Sequence, residues 1–231
     1  MNPETRPGID GKSVLVAGAS GGLGSAIARD LAARGARLTM VGRDRQRLDA
    51  LEQIGRTVAL DLRDPTSCAT AVATAIDYAG QLDAVVNAVG VVAFGPIDEL
   101  SSDVMEELFL TNTFVPIMLA RAALGSIVEG GTIVNISGVI AEQALPGMAA
   151  YGASKAAVRS FDQALAREAR RRRVRVIDAR PPHTETGLAT RPIAGRAPKM
   201  PTGFAPASVA ATICDALAGD ATDLPSSAFV S

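Results

Sequence analysis

Tyr151 and Lys155 stand four residues apart in Tyr151-Gly152-Ala153-Ser154-Lys155. On a helix that spacing puts both side chains on one face. A phenol near its usual pKa of about 10 is a poor base at neutral pH, but a neighbouring ammonium favours the phenolate and lowers that value. Such a pair can give or take the proton of a carbonyl/hydroxyl couple while a hydride moves. An amphipathic helix with one half-buried tyrosine and one exposed lysine carries the same letters, so the pair gains meaning only beside a cofactor site.

A candidate for that site opens the chain. Gly18-Ala19-Ser20-Gly21-Gly22-Leu23-Gly24 follows an apolar strand, Ser13–Ala17, and leads into a helical stripe of Leu23, Ile27 and Leu31. Glycines at a strand-to-helix turn let the backbone approach a ligand, and the new helix aims free N–H groups and its positive end at an anion. The spacing Gly-x-x-x-Gly-x-Gly differs from the Gly-x-Gly-x-x-Gly fingerprint, yet it reads as a diphosphate cradle. The second strand ends at Val41-Gly42-Arg43-Asp44. A carboxylate there selects NAD through the ribose hydroxyl, whereas an arginine accepts a 2′-phosphate. Gly42 stands at the carboxylate position and Arg43 follows, with Arg45 and Arg47 near, so NADP is expected rather than NAD. Asp44 turned to the ribose would reverse that reading.

The elements that must hold these groups alternate along the chain. Strands are expected at Ser13–Ala17, Arg37–Val41, Thr57–Leu60, around Ala84–Val86, at Thr132–Ile136 and at Val174–Ala179, with a last short one near Ala228–Val230. Helices are expected between the first two strands, after an Asp44 cap, and over Thr66–Ala79, Asp103–Ala123, Ala150–Arg172 and Pro206–Ala218. Apolar strands separated by helices predict an α/β fold: a parallel sheet covered on both faces. The stretch 181–206 carries six prolines and little periodicity, so it reads as a long substrate loop. Residues 1–10 read as a flexible tail, and the whole as a single domain.

Composition narrows the function classes. The 231 residues carry 23 basic and 24 acidic side chains, a balance that argues against a nucleic-acid partner. Apolar runs look too short for the roughly 18 residues a membrane span needs, and the polar N-terminus lacks a secretory signal. Cys68 and Cys214 form no CxxC pair, as suits reduced thiols in a cytoplasm. One histidine, His183, leaves no multi-histidine metal site and little room for a Ser-His-Asp hydrolase.

Taken in order, the glycine turn, Asn87-Ala88-Val89-Gly90 after the fourth strand, Asn112 in a long helix and the Tyr-x-x-x-Lys pair resemble the short-chain dehydrogenase/reductase family. The resemblance spans roughly residues 11–230. It implies a Rossmann-type, doubly wound parallel sheet of about seven strands, hydride exchange between a nicotinamide and a small carbonyl or alcohol, and a homodimer or homotetramer. By position, Tyr151 would be the acid/base, Lys155 would lower its pKa and hold the nicotinamide ribose, and Asn112 would support a proton-relay water. Gly18, Ser20, Gly22, Leu23, Gly24 and Arg43 would hold the phosphates. Asp61 and Leu62 would sit by the adenine, and Asn87, Ala88 and Gly90 would support sheet and cofactor. Pro181, Thr184 and Thr186 belong to the loop after the sixth strand, where Thr186 would contact the carboxamide.

Three departures are small: Ala17 where Thr is frequent, Ala88-Val89 in place of Asn-Ala, and Pro182 in place of glycine, which stiffens its loop. The fourth touches chemistry. The family's serine stands thirteen residues before the tyrosine, and that position is Gly138. Ser137 is one residue early, and on an extended strand a one-residue shift changes faces. Either Ser137 reaches the site or one oxyanion donor is missing, at about 2.7–4 kcal/mol in the barrier. The first expectation is therefore an NADP(H)-dependent carbonyl/alcohol oxidoreductase. The alternatives are an NADP-binding regulator with weak turnover and a non-redox isomerase or dehydratase.

Overall fold

Six parallel strands form one sheet in the computed structural model, which describes residues 8–230. The first half of the chain runs β1 (Ser13–Ala17), α1 (Gly22–Ala33), β2 (Arg37–Gly42), α2 (Arg45–Asp49), β3 (Gly55–Ala59), α3 (Pro65–Ala79) and β4 (Leu82–Asn87). It continues through α4 (Ser102–Phe109), a π-turn at Leu110–Phe114, α5 (Val115–Leu124), β5 (Ile127–Ile136), α6 (Ala149–Ala169), β6 (Arg175–Ala179) and α7 (Pro206–Ala218). The strand order is β3-β2-β1-β4-β5-β6. Winding therefore reverses between β1 and β4, where the strand C-termini leave a crevice for a ligand.

Every residue of β1 and of β4 is buried, because helices cover both faces; the polar exceptions in β4, Asp83 and Asn87, are paired, Asp83 with Lys12 and Ser13 N and Asn87 with Asn135. Successive side chains serve opposite layers. Val14 and Val16 pack with Ile27 and Leu31 of α1 and Val209 and Ile213 of α7. Leu15 packs with Ala71 and Ala75 of α3, Leu119 of α5 and Leu165 of α6. Caps fix where the helices begin: Asp44 accepts from Arg47 N at 3.1 Å, and Asp64 accepts from Thr66 N at 2.9 Å with Pro65 in the first turn.

Several expectations are corrected. The sheet has six strands, not seven: near the C-terminus only an isolated bridge pairs Ala179 with Leu224, and residues Ser226–Ala228 form a 3-10 turn. Of the expected tail at 1–10, residues 1–7 lie outside the described residues, while Ile9 is buried in the core and its carbonyl accepts from Lys12 N. The helix expected at Asp103–Ala123 is two helices joined by the π-turn, with Pro116 in the first turn of α5. By length and composition the continuous run Ser102–Leu124 would cross a bilayer, contrary to the reading that no apolar run suffices. About half of it is buried in the fold, with Leu108, Val115 and Leu119 facing inward, so its composition is that of a core helix. The basic run at 170–175 ties down two helix ends. Arg172 donates to the Leu124 carbonyl at the end of α5, and Arg175 to the carbonyls of Leu217 and Ala221 at the end of α7, where cations meet unpaired acceptors.

The stretch 181–206 has no regular element, as expected, but it is tied down. Ile193 N donates to Val92 O at 2.8 Å, Phe94 N to Ala194 O at 3.0 Å and Phe204 N to His183 O at 2.8 Å.

Candidate active site

The turn after β1 is closed by backbone. Gly18 has φ +78°, and a Cβ on Gly24 would fall 2.2 Å from the Gly18 carbonyl oxygen, so the first turn of α1 folds directly onto the strand end. A Cβ on Gly22 would lie 2.5 Å from Thr186 O, which brings the loop after β6 against the same turn. This cradle of free N–H groups opens on a cleft of about 720 Å³, a size suited to a large organic ligand. The catalytic and cofactor-binding residues expected from the sequence border that cleft except Asn87 and Asn112, which are buried behind it.

At the adenosine end, a side chain on Gly42 would meet Ser20 Oγ at 2.5 Å, so a carboxylate cannot stand there without displacing Ser20. The carboxylate of Asp44 is engaged with its own helix, capping Arg47 N and pairing with Arg47 Nε at 3.1 Å. Arg43 is exposed beside the cleft. Asp61 is held below the usual carboxylate range, mainly by hydrogen bonds from Arg63 and further by the charge of Arg43. Arg63 also pairs with Glu107 at 3.0 Å.

At the other end, Tyr151 and Lys155 lie in the first turns of α6 and both face the cleft. Lys155 is buried and donates from Nζ to the Ile136 carbonyl at 2.8 Å. Burial pulls its ammonium down to about 8 despite the opposing charge of Asp178. In the chain alone burial pushes the Tyr151 phenol up to about 12, opposite in direction to the lowering expected from its lysine neighbour. Asn112 sits in the π-turn, a common way to aim a side chain inward. Its Oδ1 accepts from Val91 N at 2.9 Å, and its Nδ2 donates to Val91 O and to Ser154 Oγ at 3.0 Å. A Cβ on Gly90 would touch Asn112 Oδ1 at 3.3 Å and Lys155 Nζ at 3.4 Å, which places both groups around that glycine. Asn87 Nδ2 donates across the sheet to Asn135, whose own amide donates to Asp162.

Ser137 does not stand in for the serine absent at Gly138. It is fully buried and its hydroxyl donates to Asp178 on the neighbouring strand β6. Gly138 has φ +83°, a conformation strained for any residue with a Cβ, so the backbone itself is shaped to glycine here. His183 borders the cleft with Nε2 3.4 Å from Glu185. Both thiols are buried, and burial pushes Cys68 up to about 11 and Cys214 up to about 12, so neither is a nucleophile. Among the described residues no cluster of metal-ligating side chains occurs.

Sequence reading missed the support beneath the site. Arg180, at the end of β6, is 3% exposed and bonds Asp178, Glu142 and both oxygens of Asp223. Glu142 also accepts from Ser226. Glu142 and Gln143 accordingly are not among the residues bordering the cleft; Val139 and Ile140 just before them are. The one readable signal was a carboxylate, Asp178, in the apolar run Val176–Ala179 of β6.

Comparison with known proteins agrees with this arrangement. The family model described as short chain dehydrogenase matches residues 12–195. Dehydrogenase/reductase SDR family member 7B of Danio rerio is 32% identical over 234 residues, covering 92% of this chain and 76% of that protein. A dehydrogenase/reductase from Sinorhizobium meliloti 1021 superposes with TM-score 0.83 at 28% identity, covering 96% of each chain. A short chain dehydrogenase from Burkholderia cenocepacia J2315, in complex with NADP, superposes with TM-score 0.85 at 27% identity, covering 98% of this chain and 100% of that one.

Proposed function

The chain belongs to the short-chain dehydrogenase/reductase family of oxidoreductases, and on that premise we propose that it is an NADP(H)-dependent enzyme interconverting a carbonyl and an alcohol. The observation that carries the reading is one continuous cleft with the glycine cradle at one end and the Tyr151/Lys155 pair at the other. Gly18 to Gly24 would hold the diphosphate, Arg43 the 2′-phosphate, and Thr186 and Lys155 the nicotinamide end. The chemistry a nicotinamide would supply there, when bound, is a hydride, two electrons with one hydrogen nucleus, for the carbonyl carbon. Tyr151 supplies the proton to oxygen, and solvent replaces it. A phenol that keeps its proton at neutral pH suits the reducing direction. The direct test is oxidation of NADPH by a panel of carbonyl compounds, read as loss of reduced-nicotinamide absorbance.

Two further outcomes are expected. Arg43→Ala should weaken NADPH by about tenfold, the scale of one charge-assisted phosphate contact of about 1.5 kcal/mol, while leaving NADH nearly unchanged. Calorimetric titration with both cofactors checks this, and equal loss for both removes the phosphate assignment. The second concerns pH. Above about 8 Lys155 loses the ammonium that would hold the nicotinamide ribose while Tyr151 is still protonated, so kcat/KM for reduction should fall above about 8 with a slope of one. The sign for stability is opposite. The folded chain binds the Lys155 proton less tightly than the unfolded chain, whose lysine titrates near 10.4. That residue's contribution to stability therefore improves as pH rises from about 8 toward 10.4.

The exposed Phe114 and Leu110 on the π-turn support self-association of this chain as a homodimer or homotetramer, and buried reduced thiols suit a cytoplasmic protein.

A further inference from the structure

A carbonyl attacked at carbon gathers charge on its oxygen, and each donor aimed at that charge is worth about 10²–10³ in rate. The side-chain hydroxyls around the cleft can be followed one by one. Ser137 donates to Asp178, Thr184 to the Pro182 carbonyl at 2.8 Å and Thr111 to Glu107 at 2.8 Å. Ser20 belongs to the adenosine end, packed against Gly42, and Thr186, packed against Gly22 and accepting from Leu188 N, is the hydroxyl assigned above to the carboxamide of the nicotinamide. Gly138 brings no side chain, and His183 is turned to Glu185. At the reacting end there remains Tyr151, whose phenol has no side-chain hydroxyl beside it to share a substrate oxygen. The surrounding wall is mostly apolar, with Val92, Phe94, Ile140, Leu145, Met148 and Leu188, and its one guanidinium, the exposed Arg191, donates to the Gly187 carbonyl; the carboxylates that border the cleft, Asp44 and Asp61, lie at the adenosine end.

We propose that the substrate is an apolar carbonyl compound made electron-poor by its own substituents, such as an acceptor-substituted aryl ketone or a vicinal diketone, with Tyr151 as the sole side-chain hydroxyl donor to its oxygen. This deepens the carbonyl-oxidoreductase reading and rests on it. In the reduction a C–H bond forms at the carbonyl carbon from the hydride of the dihydronicotinamide, the C=O π pair moves to oxygen, and the Tyr151 proton completes the alcohol. Acceptor substituents draw that pair away from oxygen, which offsets the donor that the fold does not offer. A mostly apolar wall disfavours sugars, whose many hydroxyls would lose their water without replacement.

The first test needs no turnover. Infrared difference spectra of ¹³C-carbonyl acetophenone bound to the full chain should show one red-shifted carbonyl band, which Tyr151→Phe returns to its hydrocarbon-solvent position. A shift that persists in Tyr151→Phe reveals a second donor and overturns the proposal, as does failure of acetophenone to bind at all. The second test compares para-nitro- and para-methoxyacetophenone, close in size, with NADPH. The nitro compound should be favoured by about 100-fold in kcat/KM, one missing donor's worth. Turnover with a ratio near one sinks the substrate class alone. NADPH binding with no carbonyl reduced sinks the oxidoreductase reading and this proposal with it.

Discussion

Tyr151→Phe is expected to lower kcat/KM for NADPH-dependent carbonyl reduction by about 10³-fold, within the range of a positioned general acid. The substitution removes one oxygen from a ring at the head of α6 and leaves the helix, its packing and the cradle in place, so the affinity for NADPH should hold. The comparison of steady-state rates with calorimetric binding separates the two quantities. An equal loss in both would make Tyr151 a binding residue, and no loss in either would remove it from the chemistry. A reduction of kcat and kcat/KM together marks an interaction made in the transition state, which is the signature the reading requires. With no hydroxyl at Gly138 to share the load, less residual activity should survive the loss of the phenol.

The second large effect lies at the opposite end of the cleft. Gly24→Ala would set a methyl group 2.2 Å from the Gly18 carbonyl oxygen and 2.7 Å from its carbon. Both obstacles are backbone, in a turn already fixed by Gly21 N donating to Gly18 O and Ala19 N to Val41 O at 2.9 Å. A flexible side chain could swing aside, but this turn can yield only by moving α1 off the sheet. Overpacking of this kind costs typically 1–3 kcal/mol of stability. Because the displaced N–H groups are those that face the anion, NADPH affinity should fall by at least about 100-fold, the loss of two charge-assisted hydrogen bonds of about 1.5 kcal/mol each. Thermal unfolding with and without NADPH reads both effects. A variant that binds NADPH normally would mean that the diphosphate lies elsewhere.

The features legible in the sequence are those that local physics dictates. Strands covered on both faces are mostly apolar, so SVLVA at Ser13–Ala17, apolar in four of five positions, announced β1 at its observed limits. Gly35 and Gly80 sit in the positive-φ positions at which helices stop, and Asp44 forms its cap as its position ahead of α2 suggests. The end of the sheet was not legible. A strand near Ala228–Val230 and a single bridge at Leu224 differ only in whether the last segment finds enough partners along β6, and that is decided by long-range contacts. Ser137 illustrates the same limit at the site. Its letter and near-correct position suggested a donor to the substrate, while its real partner, Asp178, is 41 residues away and meets it only because β5 and β6 pair in register. The phenol's acidity followed from dehydration of the finished pocket rather than from the four-residue spacing that drew attention to it.

Arg180 gives the fold an unusual lever. Through Glu142 it grips the segment that carries Val139 and Ile140, and through Asp223 it grips the chain beyond α7, which Ser226 fastens to the same glutamate. A rim of the pocket is thus stapled to a part of the chain that has no contact with the reacting atoms. Natural variation around residues 220–228 can therefore reshape which molecules enter while leaving the chemistry untouched, and a directed-evolution library aimed at selectivity would do well to begin there.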